Sequence, residues 1–366
     1  MRRQSWLVWL GMLLCLALAS CGTPAAKIMP TLKPPTPKPP TPTPHPQITL
    51  QTLPVGMAGV REVFPGAAGI VLSDVNLYEG DVAPRLSFYR YSTHAVEVIA
   101  TPPAPLNAIA DAAYGGDWVA YVAAPGKMYQ WQLWAYNVIS GERIEVDSAA
   151  QENSAAEWAK GLHVSASHLV WSVRYLLVSA GPDQWDTKVF DFSFATRATQ
   201  LLYRSHVVPL NVMAMTDSAL LVAFVDASTF LPTLDLVPHG GPVKELLKAV
   251  MQQDLGPHAA MNDQYVVWED GGQDALTLYD LRTAETQTYW AQCYRPEMSS
   301  TAPYVICNQQ PKHNYALIHL PDGALTSYGE DQDGSLLSPG PDQIYGGRVF
   351  HVSTNGDVQY FDLPAN

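Results

Sequence analysis

The sequence predicts an all-β chain folded as a β-propeller, most simply of seven four-stranded blades, with six or eight as the alternatives. Three observations predict it. Short apolar runs recur along the chain at intervals of about 38 to 51 residues, the period of a propeller blade. With each comes a second apolar run, a turn and a short third run. The 30 prolines, 25 glycines, 18 tyrosines and 10 tryptophans favour many turns between short aromatic-rich strands over long helices. At 366 residues, with 47% hydrophobic and 15% charged side chains, the chain is long enough for a closed ring of small sheets and too apolar to be disordered throughout.

Taken in order, residues 1–20 read as an export leader. Arg2 and Arg3 precede an apolar run from Trp6 to Ala19, which is too short for an ordinary spanning helix and suits a secretory signal peptide. The run ends Leu18-Ala19-Ser20-Cys21-Gly22, which resembles the bacterial lipobox. The resemblance implies that Cys21 is lipidated, becomes the new N-terminus and holds the protein on the extracytoplasmic face of a membrane.

Residues 21–47 change abruptly to Pro, Thr and Lys, as in LKPPTPKPPTPTPHP from Leu32. No core forms from such a composition. Proline fixes φ near its polyproline II value, and at ~3.1 Å per residue the stretch spans on the order of 75 Å when extended, enough for a semi-rigid stalk.

The propeller is read over residues 48–366. In a blade whose strands are lettered a to d outwards from the axis, the b-strands are GIVLSD from Gly69, DWVAYVAA from Asp117, HLVWSV from His168, ALLVAFVD from Ala219, QYVVWED from Gln264, YVICNQ from Tyr304 and GRVFHVS from Gly347. The c-turn-d units include QLWAYNVISGERIEV from Gln132 and ALTLYDLRTAETQTYW from Ala275. Their c-strands are apolar on both faces, as sheets sandwiched between neighbours require. Runs of small or flexible residues before several b-strands, such as Asn107 to Ala113, Val212 to Met215 and Ala259 to Met261, suit strands at a crowded axis. The last unit stops after DVQYFDL, so ITLQTLP from Ile48 is expected beside it as the missing fourth strand, closing the ring and removing two sheet edges. One segment conflicts with itself: Val243, Leu246, Leu247, Val250 and Met251 have helical spacing, yet their place in the repeat is a d-strand. Strand is expected at its start, with a helical turn toward Gln252.

AYNVISGERIEV, LYDLRTAETQTY and LIHLPDGALTSY resemble the c-turn-d units of TolB-like, WD40-like propellers. The likeness covers residues 48–366, and the family's frequent Ser-Pro-Asp-Gly turn is present only as Leu320-Pro321-Asp322-Gly323. It implies a platform that binds proteins or small ligands in the cell envelope.

The net charge of −13 repels phosphate backbones, which excludes nucleic acid as a partner class. No Gly-x-Ser-x-Gly elbow, His-Glu-x-x-His or paired Cys-x-x-Cys occurs, so neither a serine triad nor a metal site is expected, and no cofactor motif appears. Glu330 to Ser335 places its glycine too early for a calcium loop and reads as a solvated turn. Trp118, Trp131, Trp134, Trp171 and Trp268 fall at strand spacing and read as inter-blade core. Cys293 and Cys307, 14 residues apart in an exported chain, are a disulfide candidate.

Propeller geometry puts a ligand site at the channel mouth, where d-to-a and b-to-c loops meet. The d-to-a candidates are Asp147, Glu152, Asn153 and Glu157, then Arg204 and His206, Asp254 and His258, and Arg295 and Glu297. The expectation is a monomeric, lipid-anchored, non-enzymatic scaffold for an envelope protein or a small polar ligand. The alternatives are a polysaccharide hydrolase or lyase using isolated carboxylates or histidines, and a structural stalk and head.

Overall fold

Every predicted apolar run is the second strand of a four-stranded antiparallel sheet, and there are seven such sheets. The computed structural model describes residues 48–364 apart from 78–79, 103, 125–129, 150–156, 158, 177–184, 206–209, 226–231, 240–241, 249–257, 271–274, 291–292, 300–302, 310–313, 321, 329–341 and 354. The leader, the stalk and the acidic run from Glu330 lie outside the described residues.

The a-strands are Glu62–Pro65, Ala108–Gly115, Lys160–Val164, Leu210–Met215, Ala259–Met261, Tyr294–Met298 and Gln343–Tyr345. Each touches the next, and the seventh returns to the first, so the sheets close a ring. Seven apolar clusters fill the seven junctions between consecutive blades. Between blades 2 and 3, Trp118, Trp131 and Leu133 pack on Leu169, Trp171 and Phe192, and Trp118 stacks on Phe194 with centroids 4.4 Å apart. Both faces of each sheet are therefore core, which is why the c-strands carry no polar alternation.

Closure is by the predicted strand. Gln51 pairs with Tyr360 and Thr52 with Gln359, Leu53 donates its amide to Val358 O at 2.8 Å, and the Tyr360 hydroxyl donates to Gln51 Oε1 at 2.7 Å. Ile48 and Leu50 pack into the blade 6–7 junction and Val55 and Val60 into the blade 7–1 junction, so the latch is held by apolar contact on both faces of blade 7. The ambiguous segment is a d-strand, Lys244–Lys248, paired with Pro232–Pro238. Sheet pairing overrides its helical period; residues toward Gln252 lie outside the described residues.

The a-to-b and c-to-d turns at one end of the ring repeat closely. Arg90–His94, Asn137–Gly141, Ser193–Arg197, Asp280–Ala284 and His319–Gly323 each close with the amide of the fifth residue on the carbonyl of the first, and the fifth has φ between 55° and 74°. In all seven blades the residue after the c-strand donates its amide to the residue before the b-strand, as Val138 does to Asp117 O at 2.9 Å and Leu363 to Gly347 O at 2.7 Å. The other end carries the b-to-c and d-to-a connections, whose sequences differ from blade to blade, and it is the end where variable chemistry can sit.

Candidate functional site

The sequence-predicted mouth residues separate once their partners are known. Asp147 is not in a loop but in the d-strand Arg143–Ser148, buried, where its carboxylate accepts Trp171 Nε1 at 3.0 Å and the Ser148 amide at 2.7 Å. It ties blade 2 to blade 3. Arg204 likewise lies in a d-strand, Thr199–Ser205, and donates through Nε and Nη2 to Asp186 at 2.8 Å each, a bidentate pair within blade 3. Glu157 is buried, its amide donating to Arg174 O at 2.8 Å and its carboxylate 3.8 Å from Lys160 Nζ. Glu152, Asn153, His206 and Asp254 lie outside the described residues.

His258, Arg295 and Glu269 come together at the blade 5–6 junction, whereas Glu297 pairs with Ile306, which packs into the blade 6–7 core, and so stands on the other face of blade 6. Arg295 and Glu297 stand on the a-strand Tyr294–Met298 rather than in the loop before it, because pairing to the b-strand begins at Tyr294 with Asn308. Pairing then breaks and resumes at Glu297 with Ile306, leaving Arg295 and Pro296 in a β-bulge. Arg295 has φ 55°, in the left-handed region that costs a side-chain-bearing residue about 1–2 kcal/mol. Its amide is aimed across the junction at the Glu269 carboxylate.

Glu269 closes the b-strand Tyr265–Asp270, and its own amide donates to His258 O at 3.0 Å. Its Oε2 is buried and accepts no hydrogen bond among the described residues. Burial pushes this carboxyl up to about 7 against the Arg295 amide and guanidinium, which pull it down. Glu297 keeps a little accessible surface but is enclosed by protein around the channel, and burial raises it to about 7 as well. His258 is pushed down to about 4 by burial and then by the Arg295 charge, so it is neutral at pH 7. Near neutral pH the junction thus holds a carboxyl poised between acid and base, a cation and a neutral imidazole. Such a set gives or takes a proton or binds a ligand carrying hydrogen-bond donors.

A bond between Cys293 and Cys307, with Cα atoms 5.2 Å apart, fixes the chain two residues before Arg295. Across the ring, Asp111 of blade 2 is raised to about 6 by burial, while the amides of Leu162, Ala112 and Gly161 and the Lys160 charge draw it down. His163, on the same a-strand as Gly161 but bonded to blade 4 through Val212 O at 3.2 Å, is lowered by burial. Among the described residues no three His, Cys, Asp or Glu side chains gather to hold a metal ion, and no helix is long and apolar enough to cross a membrane.

No protein-family model and no curated protein matches the sequence. Solved structures do. The chain superposes on oligogalacturonate lyase from Vibrio parahaemolyticus with a TM-score of 0.57, 10% identity, and coverage of 87% of this chain and 94% of the lyase. It superposes on a catalytically inactive virginiamycin B lyase from Staphylococcus aureus with a TM-score of 0.55, 8% identity, and coverage of 87% and 100%. TolB from Acinetobacter baumannii is matched at 12% identity over 72% of this chain, with a TM-score of 0.45; the match spans less than two thirds of TolB, 64% of its length. At these identities the likeness establishes the propeller and nothing of its chemistry.

Proposed function

We infer that this chain is a lipid-anchored, extracytoplasmic propeller that binds a protein segment or a small polar ligand at the channel mouth between blades 5 and 6. The observation that carries the binding reading is the buried Glu269 Oε2, which accepts nothing among the described residues and lies beside Arg295 and His258. A buried acceptor left without a donor is costly, and a ligand N–H or O–H removes that cost. The anchor rests on Leu18-Ala19-Ser20-Cys21 and the stalk on the proline run behind it. Capture from envelope extract by the full chain tests the reading: a partner retained by the wild type and lost from both Glu269→Gln and Arg295→Ala supports it, and equal capture by all three contradicts it. Cys21→Ala is expected to move the protein from the membrane to the soluble fraction; retention on the membrane counts against the anchor.

A second reading, a polysaccharide hydrolase or lyase, has one observation in its favour. Burial raises Glu269 and, on the other face of blade 6, Glu297 to about 7, the range a general acid or base needs. Turnover of a polysaccharide by the purified chain, abolished in Glu269→Gln or Glu297→Gln, replaces the scaffold reading with this one.

A further inference from the structure

We propose that the Cys293–Cys307 bond is a positioning device for the mouth between blades 5 and 6: it clamps the bulge that turns the Arg295 amide out of its own sheet and onto Glu269. The functional weight of this rests on the binding reading above, while the clamp itself does not.

An internal control is built into the ring. Blade 3 has the same bulge, with pairing broken between Lys160 with Ser172 and His163 with Val170, as it is broken in blade 6 between Tyr294 with Asn308 and Glu297 with Ile306. In both, the first residue of the bulge is left-handed, φ 61° at Gly161 and φ 55° at Arg295. In both, its amide serves a carboxylate of the preceding blade, Asp111 in one case and Glu269 in the other. The difference is the residue. Glycine takes that backbone freely, and the blade 3 bulge carries no crosslink. Arginine resists it, and Pro296 behind it has no amide to help hold the ladder.

What opposes relaxation in blade 6 is attachment on each side. Downstream, Glu297 and Met298 pair with Ile306 and Val305, and the Ser299 amide donates to Tyr304 O at 3.1 Å. Upstream, Tyr294 pairs with Asn308, and the bond runs from Cys293, just outside that pair, to Cys307 on the facing strand opposite the bulge, both buried in the blade 5–6 core with Tyr289, Met298 and Leu320. The crosslink therefore falls on the side of the bulge where the ladder is shortest. His94, Arg197 and Ala284 hold the same backbone conformation in turns closed by a hydrogen bond; Arg295 holds it inside a strand, and the crosslink beside it keeps a guanidinium at the mouth.

Hydrogen exchange at the residue 295 amide in the full chain tests this. Cys293→Ala/Cys307→Ala is expected to speed exchange there about tenfold relative to the Val305 and Ile306 amides on the facing strand. Adding Arg295→Gly to the pair is expected to restore the protection, since glycine needs no clamp. Uniform loosening of residues 295, 305 and 306, or no rescue by glycine, overturns the proposal. If the double alanine does not fold, the comparison is made with the bond intact, where wild type, Arg295→Ala and Arg295→Gly are expected to agree within about twofold; loss of protection in Arg295→Ala alone overturns it. Capture of the envelope partner is scored separately: a loosened bulge with unchanged capture leaves the clamp standing and removes the binding reading.

Discussion

The junctions of blades 2–3 and 5–6 solve one problem in opposite ways. At blade 2–3 an enclosed carboxylate, Asp111, is met by three backbone amides, one of them from a left-handed glycine, and by the charge of Lys160. At blade 5–6 the enclosed Glu269 is met by the amide of a left-handed arginine, one oxygen accepts nothing among the described residues, and a disulfide lies two residues away. At the first junction the carboxylate is met by groups that cost little to place there, although Trp131 Nε1 in the same core has no partner among the described residues. The second joins an unsatisfied carboxylate oxygen to a left-handed arginine, backbone strain of the kind that functional sites keep.

The largest effect should come from the staple. Cys293→Ala/Cys307→Ala is expected to lower unfolding stability by about 3 kcal/mol for a 14-residue loop, measured by denaturant midpoint. The blade 2–3 junction has no counterpart to lose.

Next comes charge. Glu297 titrates near 7 in the folded chain against an ordinary value of 4.5, so the folded state holds the proton more tightly than the unfolded one. Stability therefore falls as pH rises from 4.5 to 7, and the full penalty stands above 7. Glu297→Gln is expected to stabilise the protein by on the order of 2 kcal/mol at pH 8 and not at pH 4. His258 works in the other direction, its neutral form losing support as pH falls from 6.5 to 4. The two slopes are separable by measuring Glu297→Gln and His258→Gln over the same range.

The smallest effect sharpens the comparison most. An added Cβ at Gly161 meets nothing nearer than Val212 O at 3.7 Å, so Gly161→Ala should cost only the backbone term, about 1–2 kcal/mol. Arg295→Gly should change stability in the opposite sense, by at most about 1 kcal/mol. The same sign at both positions would mean that the two bulges are not equivalent.

Much of the fold was legible because its signals are local. Apolar runs such as HLVWSV and turns such as Asn137–Gly141 carry their own spacing, and the orphan strand at Ile48 was the one piece of chain left to close blade 7. The site was less legible because its chemistry is set between blades. Asp147 stands beside a long loop, yet Trp171, 24 residues on, takes its carboxylate. Glu269 ends an apolar run and reads as a strand terminus; only Arg295, from the next blade, gives it a role. A left-handed arginine has no sequence signature at all, although an acidic pair, Glu269-Asp270, closing a buried strand was a usable hint.

Carbon-13 titration of the side-chain carboxyls in the intact protein reads the difference between the junctions most directly. Midpoints near 7 for Glu269 and Glu297, with Asp111 near 6, are predicted. An ordinary midpoint near 4.5 for Glu269 would mean that water reaches it freely, and the site proposed between blades 5 and 6 would be no more than exposed surface.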